Sequence, residues 1–249
     1  MKLVDEGARS YVDDVKMAKL LEFVTFSGSD VCAAWVGRYY PATRSDDSDL
    51  VSMARFNRDH YVFYRYFVEK HMEKRGDVLD IGSGAGHRAN MLTRYSRSVI
   101  GIERDVLLLS FAAKFNSGGV AYYQGSFPEC SQGLGRKFDY IFAVEVLEHI
   151  PHESQQDFVS AGVEILNPGG KMFLTVPNDK EIQRDSAGRP IHPHVGLWTL
   201  EEYAGFLSNN SAHVLASGLL DVGAIDNTDS PEADSEPASH HYIVLGNAS

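Results

Sequence analysis
Two clusters of residues have the types and the spacing to do chemistry. The first is Asp80-Ile81-Gly82-Ser83-Gly84-Ala85-Gly86, with Glu103 standing 21 residues beyond Gly82. Glycines at alternate positions suit a strand-to-helix turn, where unusual backbone angles are needed and a missing Cβ lets a ligand lie against the chain. The amides at the start of the following helix are expected to face that ligand. An acid at the spacing of Glu103, closing the next strand, reaches a ribose diol. A dinucleotide turn reads G-x-G-x-x-G; here the pattern is G-x-G-x-G, and the next residue is His87. Asp80 would oppose a pyrophosphate and suit a cation, so the cluster predicts a positively charged, phosphate-free cofactor.

The second cluster is Glu145-Val146-Leu147-Glu148-His149, with His152 just beyond and Ile191-His192-Pro193-His194-Val195-Gly196-Leu197-Trp198 further along. Histidine is the side chain best matched to proton transfer near neutral pH. His149 follows an apolar run, at the carboxyl edge where open α/β sheets bind ligands, and is the first candidate for a general base. His152 is expected at the surface. His194 and Trp198 lie in a long loop that can fold over an acceptor, with Trp198 offering a face on which a sugar could stack.

These residues need a framework, and the chain supplies an alternating one. Val78 to Ile81, Val99 to Glu103, Val120 to Gln124 and Phe138 to Val144 read as strands, as do Lys171 to Val176, Leu215 to Val222 and Tyr242 to Gly246. Helices are expected over Asp105 to Phe115, with Asp105 near the N-cap, and over Ser154 to Leu166, with Ser154 as N-cap. A third spans Leu200 to Leu207, where Thr199 and Glu202 make a capping box. Pro168-Gly169-Gly170 reads as a turn. This alternation is that of a parallel sheet with crossover helices. Ahead of it, residues 1–26 look helical. Leu50 to Lys74 reads as one long helix whose rings (Phe56, Tyr61, Phe63, Tyr64, Tyr66, Phe67) pack on the following sheet. The expected organisation is a helical cap over residues 1–75 and a ligand-binding domain over 76–249.

Composition limits the alternatives. A hydrophobic fraction of 43% and a charged fraction of 23% are those of an ordinary globule. The cysteines, Cys32 and Cys130, make no disulfide or zinc framework. The first 19 residues carry charges throughout and lack a signal-peptide core, and no apolar run reaches membrane-spanning length, so a cytoplasmic protein is expected. A net charge of −11 disfavours general affinity for nucleic acid or anionic lipid.

The stretches VLDIGSGAG, GIERD, FDYIFAVEVLEHI and NPGGKMFLTVPN together resemble the successive motifs of class I S-adenosylmethionine-dependent methyltransferases, in the family's order and spacing. EVLEHI with the later HPHVGLWTLEEY is similar to the group holding ubiquinone-type O-methyltransferases and enzymes acting on sugars and natural products. The resemblance implies a Rossmann-like three-layer α/β/α sandwich. Its seven-stranded, mostly parallel sheet would have the order 3-2-1-4-5-7-6 and an antiparallel last strand. It implies S-adenosyl-L-methionine as cofactor and a small-molecule or sugar acceptor, methylated on oxygen. Gly82, Ser83, Gly84 and Gly86 would then contact the methionine part, with Asp80 nearby. Glu103 would hold the ribose, and Arg104 would lie along the adenine. Glu145 would face the methionine end. Where the family has an adenine-binding acid, this chain has Gly125-Ser126-Phe127, so adenine contact would fall to Ser126 and Phe127.

Two other readings remain. Glu145, Glu148, His149 and His194 resemble the magnesium-binding set of small-RNA 2′-O-methyltransferases, which would make the chain a metal-assisted RNA-modifying enzyme. The departure at Ser126 also leaves open a non-catalytic binding module on this fold, though the intact turn and Glu103 argue for catalysis.

Overall fold
The computed structural model describes residues 2–3, 62–115, 118–177, 199–210, 213–221 and 239–247. Its strands are β1 (Lys2–Leu3), β2 (Asp77–Ile81), β3 (Ser98–Glu103), β4 (Val120–Gln124), β5 (Phe138–Val144), β6 (Leu166–Pro177), β7 (Val214–Asp221) and β8 (Ser239–Gly246). They form one sheet in the order β1-β4-β3-β2-β5-β6-β8-β7. Counted from β2, that is the expected 3-2-1-4-5-7-6. The addition is β1, which pairs antiparallel with β4 at the sheet edge, so Lys2 and Leu3 are extended where a helix was expected.

The chain divides into two compact units, one holding Val78–Cys130 and the other Val62–Asp77 with Ser131–Ser249. In the first, β3 and β4 pair in parallel from Val99↔Val120 to Glu103↔Gln124. The helices here are α2 (His87–Leu92) and α3 (Val106–Phe115). Asp105 acts as expected at the start of α3, accepting a hydrogen bond from the Leu108 amide at 3.3 Å.

In the second unit, β5 and β6 are parallel, while β8 runs antiparallel to both β6 and β7. Every residue of β5 is buried, the mark of a strand covered on both faces. Helix α1 (residues 62–71) lays Phe63, Tyr64 and Phe67 into the core, all nearly inaccessible. Tyr64 stacks on Phe142 at 5.1 Å between ring centres, and Phe67 on Phe173 at 4.8 Å. Phe63, Tyr64 and Phe67 are therefore core and Tyr66 is half-buried, while Phe56 and Tyr61 lie outside the described residues. It stops at residue 71, three residues short of the expected Lys74, where Lys171 Nζ donates to the His71 carbonyl at 3.0 Å.

Other boundaries differ for local reasons. Helix α4 (His152–Glu164) begins two residues before Ser154, with Pro151 at the N-cap. The Ser154 amide is already bonded to the Pro151 carbonyl at 2.8 Å, so Ser154 lies inside the first turn. Pro168-Gly169-Gly170 does bend the chain, but as an irregularity within β6: Phe138 pairs with Leu166 and Tyr140 with Lys171. Helix α5 (Leu200–Asn209) carries the expected capping box: the Glu202 amide donates to Thr199 Oγ1 at 3.2 Å, and Glu202 Oε2 accepts from the Thr199 amide at 2.7 Å. No helix among the described residues is long and apolar enough to cross a membrane.

Candidate functional site
In the first unit the glycine turn leaves β2 and enters α2. Gly82, Gly84 and Gly86 have φ values of 70°, 56° and 85°. Side chains rarely adopt such angles, which is the physical reason for three glycines in five residues. Their surroundings differ. Among the described residues, a Cβ on Gly84 would meet the Arg88 guanidinium, 3.7 Å away and in ordinary contact. A Cβ on Gly86 would collide with the Tyr122 hydroxyl and approach Ala112 Cβ to 2.8 Å. Tyr122 also donates to the Gly86 carbonyl at 3.2 Å. Gly86 thus serves close packing, while Gly84 is uncrowded among the described residues.

The amides of this turn are not held out for an anion. Those of Gly82 and Ser83 both donate to the Ile102 carbonyl, at 2.9 and 3.0 Å, and that of Gly86 donates to the Ser83 carbonyl at 3.0 Å. The Gly84 amide donates to Glu103 Oε2 at 3.0 Å. The expected ligand-facing amides are those of the helix that begins at His87, beyond these four. A pyrophosphate would have to compete for donors already engaged.

Glu103 ends β3 with its carboxyl buried. Oε1 accepts from the Asp105 amide at 2.8 Å, while Oε2 takes the Gly84 amide. Burial pushes its pKa up and the two amides oppose that shift. Asp80 is fully buried at the end of β2. Its negative charge adds to burial in holding the Tyr122 hydroxyl protonated. Ser83 is buried with its Oγ lacking a hydrogen-bond partner, a donor available to a bound molecule. Arg104 and Ser126 are exposed and Phe127 is buried. The Gly125 amide donates to the Glu103 carbonyl at 3.2 Å and the Ser126 carbonyl accepts from Cys130, which fixes the path of the loop after β4.

The second unit holds the carboxylate–imidazole group. Glu145 follows β5 with φ at 56°, the left-handed region that favours glycine. Its amide donates to Thr175 Oγ1 at 3.1 Å, and that hydroxyl donates to Glu145 Oε1 at 2.7 Å. Glu145 Oε2 lies 3.4 Å from His240 Nε2. Next come the residues of a 3-10 turn, Leu147–His149. Gln155 of α4, itself buried, donates to both the Leu147 and Ile150 carbonyls, at 3.0 and 3.1 Å, and so clasps the turn that carries His149. His149 is 24% exposed at its side chain, with Nε2 at 3.9 Å from Glu148 Oε1. Glu148 is buried, and its Oε2 lacks a partner. Burial, then the neighbouring charge of Glu145, push its pKa well above the ordinary carboxylate range.

The cofactor-side residues Asp80, Gly82, Ser83, Gly84, Gly86, Glu103, Arg104, Gly125, Ser126 and Phe127 fall in the first unit. Glu145 and His149 fall in the second. His194 and Trp198 lie outside the described residues. Among the described residues no set of three or more His, Cys, Asp or Glu side chains could hold an ion; His194, the fourth residue of the magnesium-type set with Glu145, Glu148 and His149, lies outside them. Sequence reasoning missed Tyr122, Gln155, Thr175 and His240. A polar residue inside an apolar strand, as in Leu174-Thr175-Val176, was the one visible hint.

A methyltransferase-domain family matches residues 54–215. The ubiquinone biosynthesis O-methyltransferase of Nitrosococcus oceani is 32% identical over 116 residues, which cover 45% of this chain and 48% of that relative. The chain thus spans about half the length of such relatives, or less. Among solved structures, the plantazolicin methyltransferase BamL aligns with a TM-score of 0.60 at 14% identity, over 97% of this chain and 98% of that one. The N-methyltransferase NodS from Bradyrhizobium japonicum aligns at 0.54 and 16%, over 78% and 98%. These two share the fold. With the family match covering most of the chain and the sheet order that the motifs imply, the chain belongs to the methyltransferase-domain family and has the class I methyltransferase architecture.

Proposed function
We propose that this chain is an S-adenosylmethionine-dependent methyltransferase that modifies an oxygen of a small-molecule or sugar acceptor in the cytoplasm. The observation that carries the reading is the glycine turn. Its amides at Gly82, Ser83, Gly84 and Gly86 are engaged within the protein, acids stand at Asp80 and Glu103, and the Gly84 side is uncrowded among the described residues. Such a surface rejects a phosphate chain and accepts a cationic nucleoside. Glu103 is the group for the ribose hydroxyls, the Ser83 hydroxyl is an available donor, and the loop at Gly125, Ser126 and Phe127 is the group for adenine. Similarity to ubiquinone-type O-methyltransferases supports oxygen as the acceptor atom.

When bound, the cofactor supplies an electrophilic methyl group together with its leaving group. The protein must then align the acceptor and remove its proton. His149 is suited to the second task because it is partly exposed and sits on a turn clasped by Gln155. His194 and Trp198 are proposed to contact the acceptor. The metal-assisted RNA reading loses support, since the Glu145 oxygens face Thr175 and His240.

The test is calorimetry with S-adenosylmethionine, then turnover on a panel of hydroxylated acceptors with and without EDTA. Binding, EDTA-insensitive turnover and at least about a 100-fold drop in kcat for His149→Ala are expected. Wild-type turnover by that variant overturns the base assignment, and loss of turnover in EDTA returns the metal-assisted reading.

A further inference from the structure
We propose that Tyr122 is a positioning residue for the cofactor: reaching across Gly101 of the intervening strand, its hydroxyl pins the end of the glycine turn assigned to the methionine part. The inference rests on the cofactor reading above. It adds Tyr122, which stands outside the motif stretches, and gives Gly101 a task. All of these residues lie in the first unit.

A turn with three left-handed glycines has a permissive backbone, so something must hold it in one shape. Among the described residues, attachments at its start, middle and end do so. At the start, the Gly82 and Ser83 amides bond to the Ile102 carbonyl, and in the middle the Gly84 amide bonds to Glu103. Both partners belong to β3, the strand beside β2. At the end stands Gly86, the N-cap of α2, which has no side chain to cap the helix. Its carbonyl accepts from the Asn90 amide at 2.8 Å and from the Tyr122 hydroxyl at 3.2 Å. The end of the turn is thus held from β4, which lies beyond β3 in the sheet. A ligand that settles on an unpinned turn must order it first, and binds more weakly for that reason.

A side chain on β4 reaches the turn only where β3 is thin. Gly101 is the cross-strand partner of Tyr122. A Cβ there would stand 2.7 Å from Tyr122 Cδ1 and 2.8 Å from Cε1, with Ser83 Oγ at 2.9 Å. The ring therefore lies over its own partner residue, in space that any side chain at 101 would claim. Tyr122 is buried, which limits its freedom. Burial, then the charge of Asp80, hold its hydroxyl in the protonated form that a donor needs. A phenylalanine would keep the ring's packing and lose the bond to Gly86, which separates the two roles by experiment.

Calorimetry on the full chain with S-adenosylhomocysteine tests this without any acceptor. A second ligand, 5′-methylthioadenosine, shares its nucleoside and lacks its amino-acid end; its affinity is read by displacement. Tyr122→Phe should bind S-adenosylhomocysteine about 3-fold to 10-fold more weakly, the worth of one hydrogen bond, and methylthioadenosine as the wild type does. Gly101→Ala should weaken S-adenosylhomocysteine binding in the wild type and weaken it less in a Tyr122→Leu background, where the ring is gone. Wild-type affinity in Tyr122→Phe overturns the proposal. So does an equal loss for both ligands, which a general loosening of the fold would give, and so do equal effects of Gly101→Ala in the two backgrounds. Should Gly101→Ala or Tyr122→Leu fail to fold, Tyr122→Phe with the two ligands decides the matter. A wild type that binds no S-adenosylhomocysteine overturns the cofactor reading, and this inference with it.

Discussion

The two units solve the problem of building a site in opposite ways. In the first, the backbone does the work. Residues 80–86 form one continuous turn, three left-handed glycines shape it, and the carboxylate that braces it comes from the end of the adjacent strand in sequence. In the second, side chains do the work. Glu145, Thr175 and His240 come from three separate strand ends and meet only after the sheet has formed. A backbone-built site tolerates few changes in the chain that makes it, because the shape is the function. A side-chain-built site can exchange one group for another while the sheet stays as it is. The first unit is thus the suited place for an invariant task, holding a common cofactor, and the second for tasks that vary.

That contrast can be broken by substitution. The largest effect is expected for Gly86→Ala, which meets both a positive φ and a collision with Tyr122. A loss of about 3 kcal/mol or more is expected in denaturant unfolding. Tyr122→Phe removes the hydroxyl in the way and should lessen the loss when combined with it. A loss under about 1 kcal/mol would mean that the turn is not a rigid backbone device.

Glu103→Gln comes next. One amide of Gly84 or Asp105 then faces an NH2 group in place of an oxygen, and the proposed ribose contact loses its carboxylate. Affinity for S-adenosylmethionine should fall about 10-fold to 100-fold by calorimetry. Equal affinity would remove Glu103 from the site.

In the second unit, Gln155→Leu deletes two hydrogen bonds to the carbonyls flanking His149. It should cost about 1–3 kcal/mol of stability and lower kcat with little effect on cofactor affinity. A fall in cofactor affinity matching that in kcat would contradict the division of labour.

The smallest effect is a gain. The folded-state pKa of Glu148 lies above its ordinary value of 4.5, so the native state retains a proton that the unfolded chain gives up as pH rises. Stability tied to this group is fully present below about pH 4.5 and is lost as pH rises toward the folded pKa. Glu148→Gln should therefore unfold at a Tm a few degrees higher than the wild type at pH 7, with the difference shrinking at pH 4. A variant equally stabilised at both pH values would place its effect elsewhere than in the proton.

The same contrast explains what the amino-acid sequence reveals. Local patterns were legible: the glycine spacing, the acid closing β3, the capping box at Thr199 and the mostly apolar β5 each lie within a few residues, and the sheet order followed from the family resemblance that such motifs carry. Boundaries set by tertiary contacts were not. Helix α1 ends where Lys171, 100 residues away, caps its last carbonyl, and Pro168-Gly169-Gly170 bends within a strand because β5 continues beside it. The role of Gly86 also depends on Tyr122, and the setting of Glu145 on Thr175 and His240. No one-dimensional pattern brings such residues together.

The central claim is that the turn at Asp80 to Gly86 selects a cationic nucleoside over a phosphate-linked one. Calorimetry of the wild-type chain with S-adenosylmethionine and, separately, with a nicotinamide dinucleotide measures this directly. Binding of S-adenosylmethionine in the micromolar range with no heat from the dinucleotide is the predicted result. Binding of the dinucleotide, or no binding of S-adenosylmethionine at high micromolar concentration, would contradict it.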